Sequence, residues 1–521
     1  MKDDVNVLCL LVLFLSLLSA QPAGSTVQTS SGPITGHVAK NRPDVSEYLG
    51  IPYAEPPTGD LRFAAPESYK SSDPITADAY SPDCPQQGLT APPVKFTDQT
   101  PRFKSIIEAF AGGRGNELSE DCLTLNIWTK GKATSQANGV LVWFHGGRFT
   151  LGDTNTPFYT GEYLASAQDI VVVTVNYRLN MFGFSGAPGQ PMNAGLLDQR
   201  KAVEWVRDNI AAFGGDNRRI TIMGQSAGGS AVDMYAYAYA SDPIVAGLIS
   251  HSGTSLSFEA NTPDFARQSF LTAATNVSCT GSDEETVACM RQVGYQELLA
   301  AIGSVKPLPS VALAQPVFHP TVDNVIIFDL ATYRSKGSAG DFAKLPYLAG
   351  FTNHESGFYR LAATSQKIDL TTEQWDLYEL EGFICATRDA VAYRTRHGVP
   401  AYRFRYFGEW PNLQLYPDSG SYHGSDLHMI FGASQDVTGI PPTQQQAWTT
   451  EYMQRAWAAF VNDPEYGLEH MTWPTHTGGM EGDHLVRLGW EGNPAASYIS
   501  AEPDDERCPS NRSVKEAQGA F

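Results

Sequence analysis

Arg219-Ile-Thr-Ile-Met223, Gly224-Gln-Ser226-Ala-Gly228-Gly229 and Ala231 to Ala240 follow one another along the chain. The first stretch is β-branched and reads as a strand, the second as a tight turn, the third as a helix. A Gly-x-Ser-x-Gly held between strand and helix is a nucleophile elbow. Its glycines let the backbone reverse so sharply that the Ser226 hydroxyl stands clear of the sheet, above a helix N-terminus. The competing reading, a glycine-rich phosphate cradle, fails because no Gly-Lys-Ser/Thr follows and no acidic ribose ligand is suitably placed. Working outward, Arg200 to Phe213 carries Ala202, Val203, Val206, Ile210 and Phe213 at helical spacing and stops at Gly214-Gly215. Before it, Val140 to Phe144 and Ile170 to Val175 are apolar runs of the kind buried on both faces of a parallel sheet. Strand, helix, strand, turn, helix predicts an α/β fold with a central, mostly parallel sheet and helices on both faces.

A serine hydroxyl needs a base, and acyl transfer needs donors for the oxyanion it creates. His145-Gly146-Gly147, directly after a strand, is a loop suited to presenting backbone N–H groups. The base is expected late in the chain, after the acid. His423, in Tyr422-His-Gly-Ser-Asp426, is one candidate, and spacing alone leaves His251, His354 and His428 open beside it.

The 521 residues are 42% hydrophobic, enough for a large core, and carry 36 basic against 56 acidic groups, net −20. A nucleic-acid binder needs a basic face, so nucleic acid is not expected as a partner. Val7 to Leu18 is an apolar run too short to span a bilayer and suited to a signal peptide, with small residues Ser19 and Ala20 before a cut at Gln21. Residues 1–20 are therefore expected to be a signal and 21–521 a single catalytic domain. The expected destination is outside the cell, with the vacuole or secretory lumen as alternatives and no stable membrane anchor. Six cysteines lie beyond the signal: Cys84, Cys122, Cys279, Cys289, Cys385 and Cys508. They allow fifteen pairings, and the absence of CxxC disfavours zinc or dithiol chemistry. Sequons at Asn276 and Asn511 fit an oxidising, glycosylating route.

Several blocks resemble the type-B carboxylesterase family, which includes cholinesterases and secreted fungal lipases. Tyr48 to Phe63 is similar to its N-terminal signature and Glu120-Asp-Cys-Leu-Thr-Leu-Asn126 to its second. Asn176-Tyr-Arg178, Gly195-Leu-Leu-Asp-Gln199 and Phe213-Gly-Gly-Asp216 precede the elbow as they do in the family. The resemblance, from about Val27 to Cys508, implies an α/β-hydrolase fold and a Ser-Glu-His triad working through an acyl-enzyme. It makes Ser226 the nucleophile, Glu355 the acid, and His423 the base. It places oxyanion donors at Gly147, Arg148 and Ala227, and supporting residues behind the histidine at Ser252 and Asp426. It also implies the pairs Cys84–Cys122, Cys279–Cys289 and, as in cholinesterases, Cys385–Cys508. Arg148 stands where the family usually has glycine or alanine, and Gln225 where glutamate is more common. No cofactor or metal is implied.

Cholinesterases carry a tryptophan for the quaternary ammonium inside the first disulfide loop. Residues 85–121 contain none, which disfavours choline esters. Phe103, Ile106, Ile107 and Phe110 form one helical apolar face in that loop. It reads either as a lipase-like lid or as a helix packed on the body. The wording around Glu355 and His423 looks like secreted fungal members, some of which serve patulin-type polyketide pathways. The expected function is hydrolysis of a small-molecule or lipid ester. The alternatives are a lipase for longer acyl chains and, from another class, a neuroligin-like binding protein that lacks catalysis.

Overall fold

The computed structural model describes residues 24–87, 98–110, 115–131, 137–308, 315–476 and 483–508. The expected signal 1–20, the cut before Gln21 and the sequon at Asn511 lie outside the described residues.

The described strands run β1 (Thr26–Thr29), β2 (Gly32–Thr35), β3 (His37–Val38), β4 (Ser46–Pro52), β5 (Ile75–Thr76), β6 (Thr124–Thr129) and β7 (Asn138–Phe144). They continue as β8 (Val171–Val175), β9 (Gly215–Gln225), β10 (Gly247–His251), β11 (Tyr347–Thr352), β12 (Ala401–Tyr406), β13 (His484–Leu488) and β14 (Ser497–Ser500). Three of them, β1, β2 and β5, form a small separate sheet. The other eleven form the main sheet in the order β14-β13-β12-β11-β10-β9-β7-β8-β6-β4-β3. Its middle, from β13 to β8, is parallel throughout, and antiparallel pairs close both edges.

Period-two alternation explains why the central strands are apolar without interruption. On β7, Val140, Val142 and Phe144 join one core while Leu141 and Trp143 join the other. The helices Ala194–Asn209 and Ala227–Ala238 pack on the first face, and Gln444–Asn462 and Glu162–Gln168 on the second.

Local boundaries move where tertiary contacts intervene. The apolar spacing predicts a helix from Arg200, yet the helix starts at Ala194. Its added first turn is held by Asp198, whose carboxylate receives the buried Arg178 guanidinium at 2.6 and 2.8 Å. The helix after the elbow starts at Ala227, ahead of the expected Ala231, despite two glycines. Gly228 is tolerated there because a Cβ would lie 2.0 Å from the Phe144 carbonyl oxygen, so only glycine lets β7 and the helix approach so closely.

The bonded cysteines are Cys84–Cys122, Cys279–Cys289 and Cys385–Cys508. The helix Phe103–Phe110 buries Phe103, Ile106 and Ile107, so its apolar face is packed on the body, as the second of the two readings expected.

Candidate active site

Open parallel sheets collect ligands at the carboxyl ends of their strands. Five adjacent strand ends contribute here. Ser226 follows β9, the loop His145–Arg148 leaves β7, Ser252 follows β10, Glu355 follows β11, and His423 lies in the excursion after β12.

Ser226 sits at φ 59°, ψ −122°, a strained backbone held because its N–H donates to the His251 carbonyl at 2.8 Å. Gly146 stands against it, where a Cβ would come within 3.0 Å of the Ser226 Cβ. Gly147 and Arg148 follow with φ of 103° and 57°, and Ala227 is the first residue of its helix. The N–H of a first helical residue has no partner within the helix, so Ala227 can offer its N–H beside the serine.

Glu355 is 1% exposed. Its Oε1 accepts from the Ser252 hydroxyl at 2.7 Å and from the Thr352 N–H at 2.8 Å. Its Oε2 pairs with His423 Nδ1 at 2.5 Å. With that nitrogen donating to the carboxylate, His423 Nε2 is an acceptor. Gln225 donates to Nε2 through its amide at 2.9 Å, and the Tyr359 hydroxyl stands 3.2 Å from the same nitrogen. The structure therefore brings Ser226, Glu355, His423, Ser252 and the Gly147–Arg148 loop into one neighbourhood.

Asp426 goes elsewhere. It pairs with His251 Nδ1 at 2.5 Å, while Trp457 donates to His251 Nε2 at 2.9 Å. Its place is thus behind the serine strand, on a second histidine, and away from His423. His251 is fully buried in that pair, and His428 is enclosed by Phe110 and Phe158, where burial pushes its pKa down to about 3. His354 sits next to Glu355 and uses its backbone N–H on the Ser421 carbonyl.

A cleft of about 620 Å³ opens onto Ser226 and Ala227. Arg148, His319, Tyr359 and Tyr378 line it, with Phe149 and Phe258. Burial holds the His319 pKa below its ordinary value, and the Arg148 charge pushes the same way. Burial raises Tyr359 to about 12, so its phenol keeps its proton at neutral pH. Sequence reasoning missed Tyr359, Tyr378 and His319. Tyr359 had a usable signal: it lies four residues after Glu355, one turn along the helix Ser356–Ser365 and on the same side.

The Carboxylesterase family profile matches residues 23–381. The chain belongs to the carboxylesterase family. Over 509 residues it is 36% identical to a chlorogenic acid esterase of Aspergillus niger, covering 93% of this chain and 94% of that protein. It is 33% identical over 525 residues to secreted lipase 5 of Gibberella zeae, covering 95% and 97%. An acetylcholinesterase of Bungarus fasciatus is 28% identical over 487 residues, covering 83% and 78%. This carboxylesterase is a carboxylic ester hydrolase with the α/β-hydrolase fold, and its substrates are small-molecule esters. Among the described residues, no helix is long and apolar enough to cross a membrane.

Proposed function

We propose that this carboxylesterase cleaves its ester through Ser226, His423 and Glu355, with an acyl group held on Ser226 between the two half-reactions. The observation that carries this is the meeting of the elbow with a held histidine. A serine at a strained strand-to-helix turn opens into the cleft, and both its chain neighbour Gln225 and the cleft-lining Tyr359 reach the Nε2 of a histidine that a buried carboxylate fixes. Glu355 holds the imidazole tautomer and stabilises the imidazolium that forms. Gly147, Arg148 and Ala227 supply N–H donors to the developing oxyanion. Ser252 keeps Glu355 in place, and Asp426 braces His251 under the elbow.

The aromatic wall of Phe149, Phe258, Tyr359 and Tyr378 favours an aryl or short acyl ester. The apolar face of Phe103–Phe110 is already covered, which disfavours a long acyl chain laid along it. An ester of the kind named for the Aspergillus niger relative and a small patulin-type polyketide ester both belong in that range. Export through the Val7–Leu18 signal is part of the same proposal, and N-terminal sequencing of protein from culture medium tests the cut before Gln21.

The activity test is a series of initial rates on p-nitrophenyl esters from acetate to palmitate, with Ser226→Ala as the blank. Rates that peak at short chains and vanish in the variant are expected. Rates climbing to palmitate at an oil–water interface would replace this reading with a lipase that lifts helix Phe103–Phe110. Turnover surviving in Ser226→Ala would remove the serine from the mechanism.

A further inference from the structure

The cleft at Ser226 is lined by one guanidinium, Arg148, and one carboxylate, Glu259. Glu259 is exposed to solvent, whereas Arg148 is half-buried among the rings of the wall. His319 adds no second cation at neutral pH, because burial, and then the Arg148 charge, hold its pKa below the ordinary value. The loop that carries Arg148 is fixed on both sides. The Gly147 carbonyl accepts from the Thr150 and Leu151 N–H groups at 3.0 and 3.1 Å, and the Phe149 carbonyl from the Asn180 N–H at 2.7 Å. Phe149 is 7% exposed, and its ring packs on Phe184 at 5.3 Å. The point from which Arg148 projects is therefore set by the fold. Its charge also reaches across the cleft. Burial governs the titration of Tyr359 and Tyr378, and on both phenols the Arg148 charge pulls towards the deprotonated form.

The oxyanion role given to Arg148 uses only its backbone N–H, which leaves the guanidinium without a purpose in the chemistry. A guanidinium offers two parallel N–H donors to a carboxylate, and aromatic walls that exclude water strengthen the pairing. We propose that Arg148 is a specificity-determining residue that selects esters bearing a second, ionised carboxylate on the acyl half. This rests on the Ser226–His423–Glu355 reading given above. In that reading His423 protonates the departing alcohol, so the alcohol leaves on the histidine side. The acyl half stays on Ser226, in the cleft that Arg148 lines with Phe149, Phe258 and Tyr378. A half-ester of a dicarboxylic acid has an apolar body for the rings and an anion for the guanidinium. Hydrolysis adds water across its acyl C–O bond and releases the alcohol and the free diacid. An acyl group ending in a cation is repelled by the same charge.

The test compares the monomethyl esters of succinic, glutaric and adipic acids with the matching methyl succinamate, glutaramate and adipamate, whose far ends are neutral. Released methanol is followed at pH 7, with Ser226→Ala as the blank. Wild type is expected to show kcat/KM about 10-fold or more higher on at least one acid than on its amide, chiefly through KM. Because Arg148 also supplies an oxyanion N–H, the readout in its variants is the acid-to-amide ratio within each protein. That ratio should fall to about one in Arg148→Met and be largely kept in Arg148→Lys, which retains the charge. A wild-type ratio of about one or less at all three lengths overturns the proposal without any variant. So does a wild type that turns over p-nitrophenyl acetate and none of the acid esters. An unchanged ratio in Arg148→Met overturns it too, by placing the anion on another group. Ser226→Ala separates the two levels of inference. If it is inactive while the wild-type ratio is flat, only the carboxylate selection falls; if it is active, the serine mechanism falls first.

Discussion

Glu355 carries three interactions on two oxygens, and each has a separate purpose. The Ser252 hydroxyl and the Thr352 N–H saturate Oε1, which leaves Oε2 for His423 alone. A carboxylate so held cannot rotate away from the imidazole. Glu355→Gln removes the charge and puts an amide where only an acceptor serves, so the histidine loses its preferred tautomer. The expected cost is about 10³- to 10⁴-fold in kcat, with the fold intact by circular dichroism. A rate within tenfold of wild type would mean that another group orients the base. Glu355 and His423 themselves were legible in the sequence only through the family resemblance. They are 68 residues apart, and spacing alone could not separate His423 from His251, His354 or His428.

Ion pairs between family blocks join the elements. Arg178 leaves the loop after β8 and meets Asp198 in the helix Ala194–Asn209, at 2% and 0% side-chain exposure. Arg62, from the first signature, meets Glu120 of the second and also reaches the Met290 carbonyl at 2.9 Å. Blocks that look like separate signatures along the chain are thus halves of buried contacts. Arg178→Met leaves Asp198 charged and unpaired in the interior, and should cost about 3–5 kcal/mol in urea unfolding. The double variant with Asp198→Leu should recover most of that loss, because removing both charges removes the desolvation problem. A single variant as stable as wild type would show that the pair contributes nothing. At this scale the helices and central strands were readable from periodicity. Their ends were not, since Ala194 and Ala227 start helices on the strength of contacts made by Asp198 and Gly228.

Across the whole molecule, buried histidines tie stability to pH. Burial lowers His145 and His476 to about 4 and His428 to about 3, against an ordinary value of 6.5. In the unfolded chain these groups take up protons below about 6.5, while in the fold they stay neutral. The unfolded state therefore binds more protons, and stability falls as pH drops from about 6.5 towards 4. Asp83, raised to about 7 by burial and then by the nearby Asp153, works in the opposite direction and offsets part of the loss. At pH 5 each neutral buried histidine costs about 2 kcal/mol relative to pH 7. His428→Leu should accordingly flatten the fall in thermal midpoint between pH 7 and pH 5. Parallel curves for variant and wild type would show that His428 is proton-accessible in the fold.

The α/β alternation, the two-sided burial of the central strands and the elbow at Ser226 were all legible in the order of the residues. Each is written in a run of adjacent residues, where backbone preference and hydrophobic period act over short range. Contacts between distant segments set the rest: Asp426 serves His251, Gln225 and Tyr359 meet at the Nε2 of His423, and helix Phe103–Phe110 lies face inward. Gln225 and His423 are 198 residues apart and meet because β9 and β12 run parallel in one sheet and end at the same edge. That meeting depends on strand order and on close packing between distant segments, which no local pattern of residues encodes.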